Sequence, residues 1–352
     1  MGLSDRASVN AAAGISLGFW GALRRPFSVL APMEDVTDTV FRRVIREAGA
    51  PDVFFTEFTS TDGLCSAGRP RVIARLRFTA EERPIVAQIW GLKPELYRRV
   101  AAEIREMGFD GLDINMGCPV RKIVSRGACG ALIRNPSLAA ELIAAAKEGA
   151  GDLPVSVKTR IGFASSQADE WLGFLLAQGL AALTVHGRTV TQQSNGEADW
   201  GAVALAARLR SSSGLATLII GNGDVRNAEG FVRAARDTGT DGIMIGRGVF
   251  ENLFIFRAIR AALAGEPDQE AEFSRLDPVK KASYFRRHLA LYQETWGERS
   301  RIDLVKKFAK TYLRAFPDAH RLVDAVLHTH TYDEALAVLD RWESQGGAPG
   351  AS

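Results

Sequence analysis

The chain has 352 residues, of which 46% are apolar and 24% are charged, and its formal net charge is +3. This composition is ordinary for a globular protein and excludes a collagen-like, low-complexity or intrinsically disordered chain. The three cysteines (Cys65, Cys118 and Cys129) form no CxxC pair, which argues against a disulfide framework and against structural zinc.

No apolar run approaches the length of a membrane span, and the N-terminus lacks the charged head and apolar core of a secretory signal. We therefore expect a cytoplasmic protein that has no membrane partner and no metal. We also expect a monomer, and we interpret residues 1–24 as a flexible or loosely docked extension.

Eight strand-like runs follow, and most are nearly continuous apolar segments, as is typical of parallel strands that are buried on both faces. They span residues 27–33, 53–58, 85–90, 111–117, 155–162, 182–188, 217–223 and 242–248. Helical patterns lie between them, at 94–107, 136–148, 169–178 and 228–238. The alternation predicts an α/β fold, a (β/α)₈ TIM barrel over residues 25–265. A doubly wound sheet is the alternative, but it would leave strands over.

The fourth run ends in Gly117-Cys118-Pro119, with Asn115 just before it. Glycine and proline force the backbone to turn, so Cys118 is expected on a rigid elbow at the carboxyl end of a strand. Barrel enzymes place their chemistry at that end. A free cysteine is often an inert core residue, but such a cysteine usually lies inside an apolar run.

Polar residues also end the other strands of the predicted barrel, and in this fold they converge on one mouth. Glycine-rich turns at the seventh and eighth strands are typical of a phosphate site. A lysine and a glutamine beside that site suit a flavin mononucleotide (FMN), because lysine stabilises negative charge on the reduced ring and glutamine bonds its pyrimidine part. The residues concerned are Pro32, Met33, Gln88, Lys158, Arg160, His186, Arg188, Asn222, Gly223, Asp224, Gly246 and Arg247.

Structural explanations compete with these roles. Lys158 could form an ion pair with a barrel carboxylate, and His186 could be a satisfied core histidine. Gln88 could simply bond to the backbone. Asp35 and Asp38 could cap a helix that begins near Thr39.

Beyond residue 270 the sequence contains no convincing strand, and we expect a small, all-helical C-terminal domain over residues 270–345. Between Arg275 and Arg321 there are twelve Lys or Arg and five Asp or Glu, a local net charge of +7. Ser300–Phe316 reads as one helix with a serine cap, an apolar stripe and a basic stripe formed by Lys306, Lys310 and Arg314. This excess suggests a polyanionic partner, although a merely solvated helical face is the commoner reason for a charge run.

Taken together, these motifs resemble the tRNA-dihydrouridine synthases. The resemblance runs from about Val29 to Phe256, with a family-like helical tail beyond, and its specificity comes from the order and spacing of the whole set. The motifs are APMEDVTD (31–38), TEF (56–58), QIWG (88–91), DINMGCP (within 111–119), GACGAL (127–132), VKTRIG (157–162), HGRT (186–189), GNGD (221–224) and MIGRG (244–248).

The resemblance implies an FMN enzyme that uses NADPH to reduce the C5=C6 bond of uridine in tRNA. By resemblance, Cys118 is the acid that protonates C5, and Asn115 and Arg160 contact the substrate. Flavin contacts fall on Pro32, Met33, Gln88 and Lys158. Ribityl and phosphate contacts fall on His186, Asn222, Gly223, Asp224, Gly246 and Arg247. An ordinary thiol has a pKa near ~8.5 and so remains protonated at neutral pH, as an acid must.

Two other functions stay open at this point. A flavin barrel that acts on a free small molecule, such as a dihydroorotate-type dehydrogenase, would share Lys158 and the phosphate turns but would give the basic tail no role. A non-catalytic RNA-binding protein with a barrel fold would lack flavin. The motifs do not fix which tRNA position would be modified.

Overall fold

We describe residues 16–266, 275–297 and 300–345 of a computed structural model. The chain forms two compact units. Of the described residues, the first unit contains those up to Thr37 together with Pro51–Val225 and Glu229–Gly246. The second contains Asp38–Ala50, Arg226–Ala228 and the described residues from Arg247 onward.

The first unit contains nine parallel strands that form one sheet. They are β1 (Phe27–Leu30), β2 (Phe54–Phe55), β3 (Thr59–Ser60), β4 (Ile85–Trp90), β5 (Gly111–Met116), β6 (Val155–Arg160), β7 (Ala182–His186), β8 (Leu218–Asn222) and β9 (Gly242–Ile245). The order is β1-β9-β8-β7-β6-β5-β4-β2, and β3 also pairs with β4, so β2 and β3 together act as one strand. A bridge between Val29 and Val53 joins the two ends of this order. The predicted (β/α)₈ barrel is therefore confirmed.

The α-helices, in chain order, connect the strands and then continue beyond the last of them. They are α1 (Thr39–Gly49), α2 (Thr61–Leu64), α3 (Arg69–Val72), α4 (Pro94–Glu106), α5 (Arg121–Val124), α6 (Pro136–Ala150), α7 (Ala168–Leu176), α8 (Trp200–Ser212), α9 (Ala228–Thr238), α10 (Gly248–Glu251), α11 (Ile255–Ala264), α12 (Pro278–Trp296), α13 (Asp303–Lys306), α14 (Ala309–Tyr312), α15 (Ala319–Leu327) and α16 (Tyr332–Ser344). Short 3₁₀ helices lie at Gly18–Ala22, Ile73–Leu76, Ala80–Glu82 and Cys129–Arg134. Within the described ranges, no helix is long and apolar enough to cross a bilayer.

The barrel unit contains an apolar core cluster that includes a residue preceding the first strand. Trp20 is 0% exposed, and its ring centroid lies 5.7 Å from that of Phe27 and 6.3 Å from that of Phe55. Leu218 and Met244, from β8 and β9, belong to the same cluster. Residues 1–15 of the expected extension lie outside the described part, but from Ser16 onward the structure differs from a flexible segment because Trp20 is packed into the core.

The second unit packs around a buried histidine. His288 of α12 is 1% exposed and shares a 2.9 Å hydrogen bond between its Nδ1 and the hydroxyl of Tyr312. The rings of Phe41 and Phe308 lie 5.9 and 5.0 Å from that of His288. The side chain of Asp38 accepts a 2.8 Å hydrogen bond from the backbone N–H of Phe41, so the proposed cap of α1 is present.

The single helix predicted over Ser300–Phe316 was wrong. This stretch forms two four-residue helices, α13 and α14, and Phe308 lies between them. Phe308 stacks on Phe41 at 5.1 Å, and this aromatic contact takes precedence over the local helical periodicity. The hydroxyl of Ser300 does not cap the helix but pairs with that of Tyr332 at 2.8 Å.

Candidate active site at the carboxyl ends of the barrel strands

The register of the parallel strands places five of the predicted site residues side by side near the carboxyl ends of β5 to β8. Asn115 pairs with Lys158, Arg160 pairs with His186, and His186 pairs with Asn222. Inward-facing positions alternate along each strand, so the apolar interior below gives way to polar side chains at the carboxyl ends. These five residues are therefore neighbours across β5 to β8.

Cys118 lies on a turn that is held by side chains on both sides. Asn115 Oδ1 accepts hydrogen bonds from the backbone N–H groups of Gly117, at 3.0 Å, and Cys118, at 2.9 Å. Arg160 Nε donates to the carbonyl of Gly117 at 2.7 Å. A Cβ at Gly117 would lie 3.3 Å from the backbone of Thr159, so a larger residue would crowd β6. The elbow is therefore rigid.

Cys118 is 9% exposed, and the pKa of its thiol is lowered to about 7. The main cause is a hydrogen bond with the thiol of Cys129; a backbone hydrogen bond at Val120 and the positive charge of Arg160 act in the same direction, while burial and Glu34 oppose them. Cys129 is fully buried, and burial raises its pKa well above the usual range, so it remains a thiol and can donate. Cys118 is thus a stronger acid than the ordinary thiol expected from the sequence.

Beneath the elbow lies a fully bonded polar chain. Asn115 Nδ2 donates to Gln88 Oε1 at 3.0 Å, and Gln88 Nε2 donates to Asp113 Oδ2 at 2.8 Å. Ser156 Oγ donates to Asp113 Oδ1 at 2.6 Å. Gln88 and Asp113 are both 0% exposed, and burial raises the pKa of Asp113 to about 6. Gln88, expected beside the flavin, has both ends of its amide bonded within the protein.

Lys158 faces this mouth with few partners of its own. Among the residues that the structure describes, its Nζ donates one hydrogen bond, to Asn222 Oδ1 at 3.3 Å, although an ammonium group carries three donors. Burial lowers its pKa to about 8, with a further contribution from Arg160, while Asp113 opposes the change. Asn222 Nδ2 donates to the carbonyl of Met244 at 2.8 Å, so its oxygen is turned toward Lys158. Such a lysine suits an anionic or carbonyl-bearing ligand, which agrees with the flavin that the motifs suggest.

The two glycine-rich turns differ in how much room they leave. Gly223 has φ +146°, and a Cβ there would lie 2.5 Å from Ala198, so a side chain is excluded. A Cβ added at Gly246 would lie 3.7 Å from Ala31 and 3.8 Å from Met33, so the structure leaves room for an atom beside this backbone. Met33 follows β1 and is held by a 2.9 Å bond from its backbone N–H to Thr37 Oγ1, and Pro32 beside it is partly exposed.

Asp224 carries an ion pair that the sequence did not reveal. Its carboxylate accepts from Arg188 at 2.6 Å and from the backbone N–H of Ala198 at 3.0 Å. Arg188 is 2% exposed and also lies 3.3 Å from His186 Nε2. These bonds tie the loop after β7 to the loop after β8.

A comparison with known proteins places the chain in a family. The model of the family described as "Dihydrouridine synthase (Dus)" matches residues 29–344, which is most of the chain. The chain belongs to the dihydrouridine synthase family. The resemblance seen in the motifs is therefore confirmed.

Two relatives in this family illustrate the extent of the similarity. The chain is 45% identical over 328 residues to the "Probable tRNA-dihydrouridine synthase 2" of Bacillus subtilis strain 168, covering 92% of this chain and 96% of the relative. It is 41% identical over 330 residues to a "Probable tRNA-dihydrouridine synthase" of Staphylococcus aureus strain COL, covering 93% and 96% respectively.

Two solved structures share the barrel at low sequence identity. One is a 6-hydroxypseudooxynicotine amine oxidase from Pseudomonas geniculata N1, with a TM-score of 0.50, 14% identity, and coverage of 68% of this chain and 47% of that one. The other is a 2-naphthoyl-CoA reductase complex, with a TM-score of 0.51, 9% identity, and coverage of 70% and 51%. This chain of the dihydrouridine synthase family spans about half the length of each, and the likeness concerns the fold alone.

Four site residues predicted from the sequence of this dihydrouridine synthase family member lie in the second unit. Arg247 is exposed just before α10. Lys306 is largely enclosed, because its Nζ bonds to the carbonyl of Thr329 at 2.7 Å and to Asp303 at 2.8 Å. Arg314 is half-buried and bonds to the carbonyl of Glu251. Lys310 is exposed, so the three cations do not form the uniform exposed stripe that a single helix would give.

Three features of the site in this dihydrouridine synthase family member were not predicted from its sequence. Cys129 was counted only as a scattered cysteine, and Asp113 only as part of a strand. The third is the segment that follows Cys118, where Arg121, Lys122 and Arg126 are exposed and form no ion pair with any residue of the described ranges. A signal for it was available, because no Asp or Glu occurs between Asp113 and Glu141.

Proposed function

We propose that this chain is a tRNA-dihydrouridine synthase, which reduces the C5=C6 bond of uridines in tRNA to give 5,6-dihydrouridine. The observation that carries the proposal is the family match over residues 29–344, which includes both the barrel and the helices beyond it. The names of the two relatives support tRNA as the substrate. FMN is the proposed cofactor, and NADPH is the proposed source of its electrons.

The residues that would hold FMN are those around the two glycine-rich turns and Lys158. The accessible backbone of Gly246 and the tight turn at Gly223 suit the phosphate, with His186, Asn222, Asp224 and Arg247 as the proposed ribityl and phosphate contacts. Lys158 has unused donors for the electron-rich edge of the ring, next to Pro32, Met33 and Gln88. When bound, FMN supplies the hydride that C6 of the uracil accepts.

The chain's own chemical contribution is a proton. Cys118 holds that proton on its sulfur and donates it to C5 of the uracil, and solvent returns a proton to the thiolate afterwards. Its lowered pKa of about 7 favours donation, because a stronger acid transfers its proton more readily. Asn115 is proposed to contact the uracil with its remaining amide hydrogen, since its oxygen is occupied by the elbow.

Substrate RNA must be held while the uridine is turned toward the barrel mouth, which costs a few kcal/mol of lost stacking. Phosphate contacts from lysine and arginine offset that cost. We propose Arg121, Lys122 and Arg126 as such contacts, next to Cys118, in addition to Lys310, Lys306 and Arg314 from the second unit. Arg160 is proposed to support the site by holding the elbow, through its 2.7 Å bond to the carbonyl of Gly117.

The test is direct. Purified protein, unmodified tRNA transcript and NADPH should give dihydrouridine, measured by mass spectrometry of the digested RNA. Cys118→Ala should keep flavin absorbance and tRNA affinity but lose product formation by about 10²–10⁴-fold, the usual contribution of a general acid. Cys65→Ala is the matched control, because Cys65 lies after α2 and is not among the groups that shift the pKa of Cys118.

Two results would overturn the proposal. One is a colourless protein that FMN does not reconstitute. The other is NADPH oxidation that is driven by orotate or free uracil and not by tRNA, which would favour an enzyme for small free molecules.

A further inference from the structure

A directed chain of hydrogen bonds runs from the barrel interior to the elbow of Cys118. A carboxylate only accepts hydrogen bonds, so Asp113 requires Gln88 to present its amide nitrogen. Gln88 must then turn its oxygen to Asn115, and Asn115 must donate to it. The oxygen of Asn115 is left pointing at the two N–H groups of the elbow. Every bond in this chain therefore depends on the one before it.

Rotating the amide of Gln88 or of Asn115 by half a turn would place a donor against a donor or an acceptor against an acceptor. If Asn115 rotated, its NH₂ group would face the N–H groups of Gly117 and Cys118, and both donors would lose their partner. Leaving a buried donor unsatisfied is unfavourable, because the group has given up its hydrogen bond to water without gaining another. Water offers little relief, because Gln88 and Asp113 are 0% exposed and Asn115 is 6% exposed.

We propose that Asp113 is a positioning residue, whose buried carboxylate fixes the orientation of the Gln88 and Asn115 amides and thereby holds the Cys118 elbow in place. This inference rests on the proposed function only for its consequence, the delivery of the proton. Asp113 does not touch the uracil or the flavin; it acts through two other side chains.

The test substitutes the carboxylate by its neutral isostere. In Asp113→Asn, the carboxamide keeps the present direction only if its NH₂ faces Ser156. The serine hydroxyl must then turn its hydrogen to the carbonyl of Leu112 at 3.4 Å, a poor replacement for its 2.6 Å bond to Asp113. In the other orientation the NH₂ faces Gln88, which must then present its oxygen. The direction of the hydrogen bonds from residue 113 through Gln88 to Asn115 would therefore reverse.

The readout is the pH dependence of Cys118 alkylation by iodoacetamide in the flavin-loaded protein, measured on the peptide that contains Cys118. Loosening the elbow weakens its contacts with Cys129, Val120 and Arg160, which lower the pKa of Cys118 against the opposing effects of burial and Glu34. We expect Asp113→Asn to move the alkylation midpoint upward by about one pH unit, a tenfold change in acid constant. With tRNA, kcat should fall while KM stays the same.

A polarity swap supplies the rescue. In the double variant Asp113→Asn/Gln88→Glu, the introduced carboxamide donates to the introduced carboxylate, which still accepts from Asn115. The direction toward the elbow is thereby restored with one negative charge, and the midpoint should return to that of the wild type. The matched control is Thr184→Val, which removes a fully buried polar group elsewhere in the barrel, a hydroxyl without a hydrogen-bond partner in the described structure. It should leave the midpoint unchanged.

A midpoint in Asp113→Asn that superimposes on the wild type would overturn the proposal, as would a double variant that stays shifted. If the single variant does not fold, recovery of a cooperative thermal transition in the double variant supports the proposal, and failure of both contradicts it. Alkylation needs neither tRNA nor turnover. A protein that forms no dihydrouridine but shows these midpoints would therefore contradict the proposed function and leave the positioning role of Asp113 supported.

Discussion

The two neighbouring cysteines allow the acidity of Cys118 to be tested by removing one sulfur. The largest cause of its lowered pKa, about 7, is the hydrogen bond with Cys129. An ordinary thiol has a pKa of ~8.5, so at pH 7 Cys118 is about half ionised whereas an ordinary thiol is about 3% ionised. In Cys129→Ala the donor is lost, but the contributions of Val120 and Arg160 remain. We therefore expect the pKa of Cys118 to rise by about one unit, roughly 1.4 kcal/mol.

The sign of the effect differs between two assays. Alkylation needs the thiolate, so its rate should rise through about pH 7 in the wild type and about one unit higher in Cys129→Ala. Proton donation needs the thiol, so single-turnover dihydrouridine formation should fall as the pH rises through the same values. Cys65→Ala should change neither profile. Alanine keeps the Cβ that Cys129 already carries at φ +53°, so the substitution adds no backbone strain.

Two outcomes would refute this reasoning. If the alkylation midpoint is the same with and without the sulfur of Cys129, the hydrogen bond does not set the acidity of Cys118. If product formation increases with pH across this range while the chemical step limits the rate, Cys118 acts as something other than the acid.

Three further predictions concern other parts of the structure. Lys158→Met should lower FMN affinity at pH 7, measured by fluorescence titration. In the wild type the same affinity should weaken as the pH rises through about 8, because Lys158 loses its charge there. Equal FMN affinity of Lys158→Met and the wild type would refute this. Replacing Arg121 and Lys122 by glutamine should weaken tRNA binding and reduce the slope of log K against log salt by about one to two, whereas an unchanged slope would mean that these cations are only solvated. Trp20→Ala should destabilise the barrel by about 3–5 kcal/mol, seen in chemical denaturation, and a loss below about 1 kcal/mol would show that this ring contributes little.

The barrel was predictable because its strands are buried on both faces and therefore appear as continuous apolar runs. β4 was predicted with its observed bounds, Ile85–Trp90. The other predicted strands ended one to three residues too late, because the turn residues that follow them, such as Gly117 and Gly223, continue the apolar or glycine-rich pattern without pairing. The elbow at Cys118 was also predictable, since glycine and proline restrict the backbone locally.

Contacts between residues distant in the chain were not predictable in this way. The bond between Cys118 and Cys129 depends on the backbone turning back through α5, and the ion pair of Arg188 with Asp224 joins two loops. The break near Phe308 has the same origin. Four-residue periodicity is a local signal, and stacking against Phe41 is not.

The burial of Trp20 has a consequence for how the molecule is assembled. This ring precedes the first strand, yet it shares a cluster with Leu218 and Met244 of the last two strands, β8 and β9. It cannot reach its final environment until the last strand has joined the first, although it is synthesised before every strand of the barrel. Its fluorescence, isolated by replacing the other five tryptophans, would report when the barrel closes during refolding.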